Sequence, residues 1–214
     1  MHPNPIYRQE GRAHALAFAR TRGFGTLTIC GGAGVLAAHV PFVLHEDDGE
    51  GGAALEAHLV RSNPIARALR DGPVEALLAV VGPDAYISPD WYGIEDQVPT
   101  WNYVAVHLRG KLRLRDPEEL RAHLDRLSAH FETMLAPKPA WTADKMSPPA
   151  LEKLMRAILP VAMTVESVDS TFKLNQNKTP AARLGAAEAL ARGGTPGAEI
   201  AALVALMRGV GEEG

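Results

Sequence analysis

The sequence holds a single cysteine, Cys30, so it can form no internal disulfide and no cysteine-built metal site. That economy fits a reducing, cytoplasmic compartment. No apolar run is long enough to cross a bilayer, and the opening MHPNPIYRQEGRAHA lacks the apolar core of a secretion signal, so no membrane partner is expected. Charge is nearly balanced: 22 Lys and Arg face 25 Asp and Glu, for a formal net charge of −3. No global basic field exists to hold a nucleic-acid backbone, which leaves DNA as a partner that charge does not support. Several catalytic signatures are also missing. There is no phosphate-cradling P-loop, no G-x-G-x-x-G after a strand and no G-x-S-x-G elbow. The eight histidines are scattered without zinc-site spacing, so no metal is predicted.

Aromatics are scarce too, at 6% of residues, and yet they gather. The stretch GPDAYISPDWYGIEDQVPTWNYVAV (82–106) contains two of the three tryptophans, three of the four tyrosines and three prolines. A core strand does not need prolines and a solvated linker does not need tryptophans. Trp91, Tyr92, Trp101 and Tyr103 could pack around a planar ligand, with Thr100 and Asn102 offering hydrogen bonds to the edge of a heterocycle. A plain aromatic plug over one end of a core is the competing reading.

The pattern along the chain alternates at the period of strands over 24–30, 35–44, 53–60, 74–82 and 102–115, with Gly110 read as a bulge. Turns are read at GGAG (31–34) and EDDGEGG (46–52). Helical spacing appears over 9–22, a short helix follows Ser62 or Asn63 with Pro64 at its first position, and Asp116-Pro117-Glu118-Glu119 opens another. Further helices are read over 148–160, 180–192 and 196–208, the last starting at Pro196, with one bent strand or two short ones over 161–174. This predicts a mainly antiparallel β fold with appended helices, an α+β barrel and not a doubly wound sheet. Residues 1–178 form the barrel domain with helical insertions, and 179–214 form alanine-rich helices packed on or beside it.

Two polar segments join the aromatic stretch as candidate sites. In AHLVRSNP (57–64), Arg61, Ser62 and Asn63 stand where a strand gives way to a helix start, a place suited to an anion; simple capping is the alternative. In FKLNQNK (172–178), Lys173, Gln176 and Asn177 belong to a dense cluster of donors, or to a polar turn. His39 and His58 lie inside apolar strands, where a histidine is commonly structural.

These segments, in this order, resemble the PaiB-type family of FMN-binding negative transcriptional regulators. The resemblance rests on NPIY near the start, HVP (39–41), HLVRSNP (58–64), GPDAYISPDWY (82–92), VPTWNYVAVHLRG (98–110) and KLNQNK (173–178). It departs from the family pattern at Asn175, where a serine is expected, and at Val60, where an alanine precedes the arginine. The family is described as a split β-barrel related to pyridoxamine-phosphate-oxidase-like flavoproteins. The resemblance therefore implies an FMN-binding split β-barrel, FMN as cofactor, and a homodimer with the flavin at the subunit interface. It implies that Arg61, Ser62 and Asn63 hold the FMN phosphate and that His39 and His58 line the groove. Thr100, Trp101 and Asn102 would face the ring or its ribityl chain, and Lys173, Gln176 and Asn177 would complete the site, from the partner subunit. Its activity would be regulatory or that of a flavin-dependent oxidoreductase. The alternatives are a DNA-binding repressor using Arg109, Lys111, Arg113 and Arg115, or a haem-binding or haem-degrading barrel using His39, His58 or His107.

Overall fold

A computed structural model of the chain describes residues 1–32, 34–46 and 52–211. Residues 47–51 of the turn read over 46–52, and residue 33 of that over 31–34, lie outside the described residues. The sheet runs in the order β1 (Phe24–Gly31), β2 (Gly34–Glu46), β3 (Ala53–Val60), β6 (Ile158–Lys173), β5 (Thr100–Leu114), β4 (Val74–Ile87) and β7 (Gly197–Ala198). An added pairing of β1 with β4 turns the first six into a closed ring of strands. The β1–β2, β2–β3, β3–β6 and β1–β4 pairs are antiparallel. The fold is the expected antiparallel α+β split barrel.

The chain folds as two compact units. The first comprises Met1–Ala15, Val81–Val106 and Asp169–Gly214; the second comprises Leu16–Val80 and His107–Val168. Strands β4, β5 and β6 contribute residues to both.

The second unit has an apolar interior because its strands alternate. Along β3, Leu55, Ala57 and Leu59 are buried on one face while Glu56 and His58 point to the other. Phe42, Leu78, Leu108 and Met163 fill the same core. Gly110 lies within β5, where a Cβ would come within 1.8 Å of the Thr164 carbonyl oxygen, so only glycine permits this approach. Asp116 accepts from the Glu118 N–H and Glu119 reaches back to the Asp116 N–H, a capping box that leads into α3 (Leu120–Thr133). The helix read over 148–160 is shorter, α4 at Pro148–Met155. Residues Ile158, Leu159 and Pro160 instead pair with Val60, Leu59 and His58, because ladder bonds to β3 outweigh the local helical pattern.

In the first unit, α5 (Pro180–Ala191) buries Ala186, Ala187 and Leu190, and α6 (Ile200–Gly209) buries Leu203 and Met207. The helix read as starting at Pro196 starts later. Pro196 instead accepts a bond from the Tyr86 N–H, 3.0 Å, and Gly197–Ala198 pair with Ala85 and Asp84. The aromatic stretch is likewise no single loop. Its first residues extend β4 to Ile87, Pro89–Tyr92 form a 3₁₀ turn, and the chain re-enters the sheet at Thr100.

Candidate functional site

The two units hold different halves of the predicted residue set: His39, His58, Arg61, Ser62 and Asn63 in the second, and Thr100, Trp101, Asn102, Lys173, Gln176 and Asn177 in the first.

In the second unit, β3 ends at Val60 and the chain turns through Arg61–Asn63 into α2 (Pro64–Ala68). The Asn63 N–H donates to Val60 O, 2.9 Å, and its side-chain oxygen accepts from the Ile65 N–H, 2.8 Å. Asn63 is thus the cap and Pro64 takes the first helical position, as read from the sequence. Arg61 is exposed and doubly anchored. Its N–H donates to Ala157 O, 2.9 Å, and its Nε donates to Arg156 O, 2.6 Å. Those bonds orient the guanidinium and leave its two terminal nitrogens without a partner among the described residues. Ser62 is exposed beside it.

His39 is exposed, and its Nδ1 lies 3.1 Å from the Thr26 hydroxyl on β1. His58 belongs to a polar cluster that sequence reasoning missed. Its Nδ1 is 3.2 Å from Nε2 of His123 on α3, whose other nitrogen lies 3.6 Å from the Glu56 carboxylate. Glu56 accepts from Arg126 at 2.7 and 3.1 Å and from Arg115, which also binds Glu119; His45 lies 3.5 Å away. Burial would raise the Glu56 carboxyl, but the hydrogen bond from Arg126 and the charges of Arg126, Arg115 and His45 outweigh it and hold it low. Burial pushes His58 down, and burial with the neighbouring His58 pushes His123 down to about 4. Both imidazoles are therefore neutral near pH 7. The one sequence signal was an acid two residues from a histidine inside an otherwise apolar strand.

In the first unit, the Lys173 ammonium donates to the Thr100 hydroxyl and sits 5.8 Å from the centre of the Tyr7 ring. Burial, and then the charge of Lys178, lowers its pKa. Lys178 donates to Gln97 and lies 5.0 Å over the Tyr92 ring. Trp101 is 44% exposed and meets Tyr86 edge-on at 6.5 Å. Asn102, next along β5, necessarily faces the other way. It is fully buried, and its amide donates to Met207 Sδ at 3.4 Å. Gln176 is turned onto its own backbone, accepting from Leu174 N–H at 2.7 Å and donating to Phe172 O at 2.5 Å. Asn177 is exposed. The structure thus brings Lys173 and Thr100 together and separates Asn102 from Trp101. Asn175, read from the sequence as part of the donor cluster and as a departure from the family pattern, is buried in a left-handed conformation (φ 63°) under Tyr92.

Comparison with known proteins gives these groups a context. The family described as "Putative FMN-binding domain" matches residues 1–167. The chain belongs to this family. It is 32% identical over 161 residues to the protein named "Protease synthase and sporulation protein PAI 2" of Bacillus subtilis, covering 75% of each chain. It is 29% identical over 201 residues to an uncharacterized protein of Aspergillus fumigatus, covering 74% of this chain and 77% of that one. Among solved structures it resembles an FAD and haem binding protein from Mycobacterium smegmatis, with a TM-score of 0.54 and 18% identity over 78% of this chain and 73% of the other. It also resembles Rv2991 from Mycobacterium tuberculosis, with a TM-score of 0.53 and 14% identity over 80% and 91%. At these identities the structural likenesses show the fold alone. FMN is the cofactor that family membership assigns. The Arg61 segment fits that assignment: an oriented guanidinium with two unengaged nitrogens and an exposed hydroxyl at a helix start match the needs of a phosphate. Among the described residues no helix is long and apolar enough to cross a membrane.

Proposed function

We propose that the chain is a homodimeric FMN-dependent oxidoreductase, with the flavin phosphate on Arg61, Ser62 and Asn63. The observation that carries this reading is the Arg61 guanidinium, held by Arg156 O through Nε while its terminal nitrogens remain available. Bound FMN supplies one- or two-electron transfer, so no protein side chain has to act as a strong base. Arg61 binds and orients the phosphate, Ser62 donates its hydroxyl, and the Asn63 amide N–H₂ is available once its oxygen has capped α2. His58 would present a neutral imidazole steadied by His123, and His39 an imidazole hydrogen-bonded to Thr26, on β3 and β2.

Dimerisation is supported by the outer face of β2, β1 and β4. Rows His39–Thr26–Ala79 and Ala37–Thr28–Leu77 run across the three strands, followed by Val35 opposite Cys30. None of these side chains carries a formal charge with histidine neutral, and Val35 is 71% exposed. Glu75, exposed two residues before Leu77 on β4, bounds this face, and the uncharged stretch beside it is the surface a second copy would cover. In that dimer, the partner's Thr100, Trp101 and Lys173 would contact the ring end of the flavin, with Gln176 and Asn177 beyond them and Asn102 supporting β5 from inside.

The test is a titration of flavin-stripped protein with FMN, with solution mass measured alongside and NADH or NADPH oxidation assayed next. Saturable binding to a dimer that then oxidises a nicotinamide supports the reading. Binding without turnover turns it towards a regulator. Arg109, Lys111 and Arg113 are exposed along one face of β5 and give that second reading a DNA-facing surface. A gel shift that weakens with salt would support it.

A further inference from the structure

The segment that leads into α5 carries Lys173, Lys178 and Arg183 with no acidic residue between them. All three belong to the first unit. None of them joins an ion pair among the described residues. Lys173 and Lys178 donate to neutral oxygens, the Thr100 hydroxyl and the Gln97 amide.

Arg183 is the most exacting of the three. It shares the buried side of α5 with Ala182, Ala186, Ala187 and Leu190, an otherwise apolar face. It is 9% exposed, and its Nε is buried without a partner. No side-chain hydrogen bond reaches its terminal nitrogens among the described residues. A guanidinium on an apolar face with no counter-charge lowers stability, a cost that is offset when an anion comes to it.

The helix itself supplies the rest of the site. A long helical side chain leans towards the N-terminal end, which carries the Arg183 guanidinium over the first turn of α5. The positive end of the helix dipole lies there too. Thr179 Oγ1 accepts from the Ala182 N–H at 3.3 Å and Pro180 has no N–H, so the Ala181 N–H is left to donate outward. Thr179, Pro180 and Ala181 are exposed, so an anion can reach this turn from solvent. No acidic side chain occupies it. Lys178 stands immediately before the cap, and its ammonium keeps two further N–H groups beyond the one given to Gln97.

We propose that the start of α5 binds a phosphate group, held by the Arg183 guanidinium, the Ala181 N–H and the Lys178 ammonium. The two charges of the phosphate answer the two cations. This site is separate from the flavin phosphate on Arg61 and does not rest on that reading.

The experiment is calorimetric titration with inorganic phosphate in chloride-free buffer, with acetate as a monoanionic probe. Two full-length proteins are used: one loaded with FMN, and flavin-free Arg61→Ala. The expected result is saturable phosphate binding to both, with acetate at least tenfold weaker. Arg183→Met, which keeps the length and the helix propensity but not the charge, should abolish binding, and Lys178→Gln should weaken it about fivefold. Without phosphate, Arg183→Met should also raise the urea midpoint, because it removes an uncompensated buried charge. Phosphate should raise the midpoint of the parent protein and leave that of Arg183→Met unchanged. No saturable binding, equal binding of acetate, or unchanged phosphate affinity in Arg183→Met overturns the proposal. A phosphate-free midpoint for Arg183→Met below that of the parent also overturns it, because the guanidinium would then already have a stabilising partner. Phosphate binding to flavin-free Arg61→Ala but not to the FMN-loaded protein would give Arg183 to the flavin site and overturn it as well. Failure of FMN to bind would remove the flavin reading alone, since the Arg61→Ala titration uses no flavin.

Discussion

The Tyr92 hydroxyl donates to the side-chain oxygen of Asn175 at 3.2 Å, tying the aromatic stretch to the turn after β6 within the first unit. Both residues are buried, and Asn175 holds a left-handed backbone. Tyr92→Phe keeps the ring and leaves a buried acceptor unpaired. The expected cost is about 1–2 kcal/mol of stability, read as a lower urea midpoint with an unchanged slope. A midpoint equal to that of the parent protein would mean that the bond adds nothing net.

Arg61 is exposed, and its two backbone anchors are not core contacts. Arg61→Ala should therefore fold normally and lose one charge-assisted contact to the FMN phosphate, about 1.5–3 kcal/mol, or roughly 10- to 150-fold in affinity. Flavin fluorescence quenching measures this directly. If a folded variant binds FMN as tightly as the parent, Arg61 does not hold the phosphate.

Stability should fall as the solution is acidified from about pH 6.5 towards pH 4. His58 and His123 are held below their ordinary value of 6.5, so in this window the unfolded chain takes up protons that the folded one refuses. Glu56, also held low, adds a loss of the same sign below its ordinary 4.5. His123 alone accounts for on the order of 3 kcal/mol across the window. Urea midpoints measured at several pH values check this, and His123→Gln should flatten the curve. A parent curve already flat between pH 6.5 and 4 would contradict the assignment.

The dimer reading is tested by placing a charge in the uncharged face. Ala37 stands opposite Thr28, which stands opposite Leu77. Ala37→Arg should leave the fold intact, because the residue is exposed, and convert dimers to monomers in sedimentation. If the flavin site is shared between subunits, FMN affinity should drop with it. Dimers that persist would place the interface elsewhere.

Local chemistry was sufficient for much of this protein. Asn63 before Pro64, and Asp116 three residues ahead of Glu119, mark helix starts because each cap is closed within one turn of chain. The alternation along β3 marked a buried face, since side chains of a strand point in turn to opposite sides. The ordered segments from HVP to VPTWNYVAVHLRG marked the family. Tertiary structure decided what depends on distant partners. The end of α4 at Met155 follows from Ile158–Pro160 pairing with β3, about a hundred residues earlier, which no local pattern can express. The ion cluster at Glu56 draws Arg115, His123 and Arg126 from a different part of the chain, and the burial of Asn102 depends on Met207 arriving with α6. Hydrogen bonds and charges act over a few ångströms in space, whatever the separation along the chain, and that is why the folded chain was needed to see them.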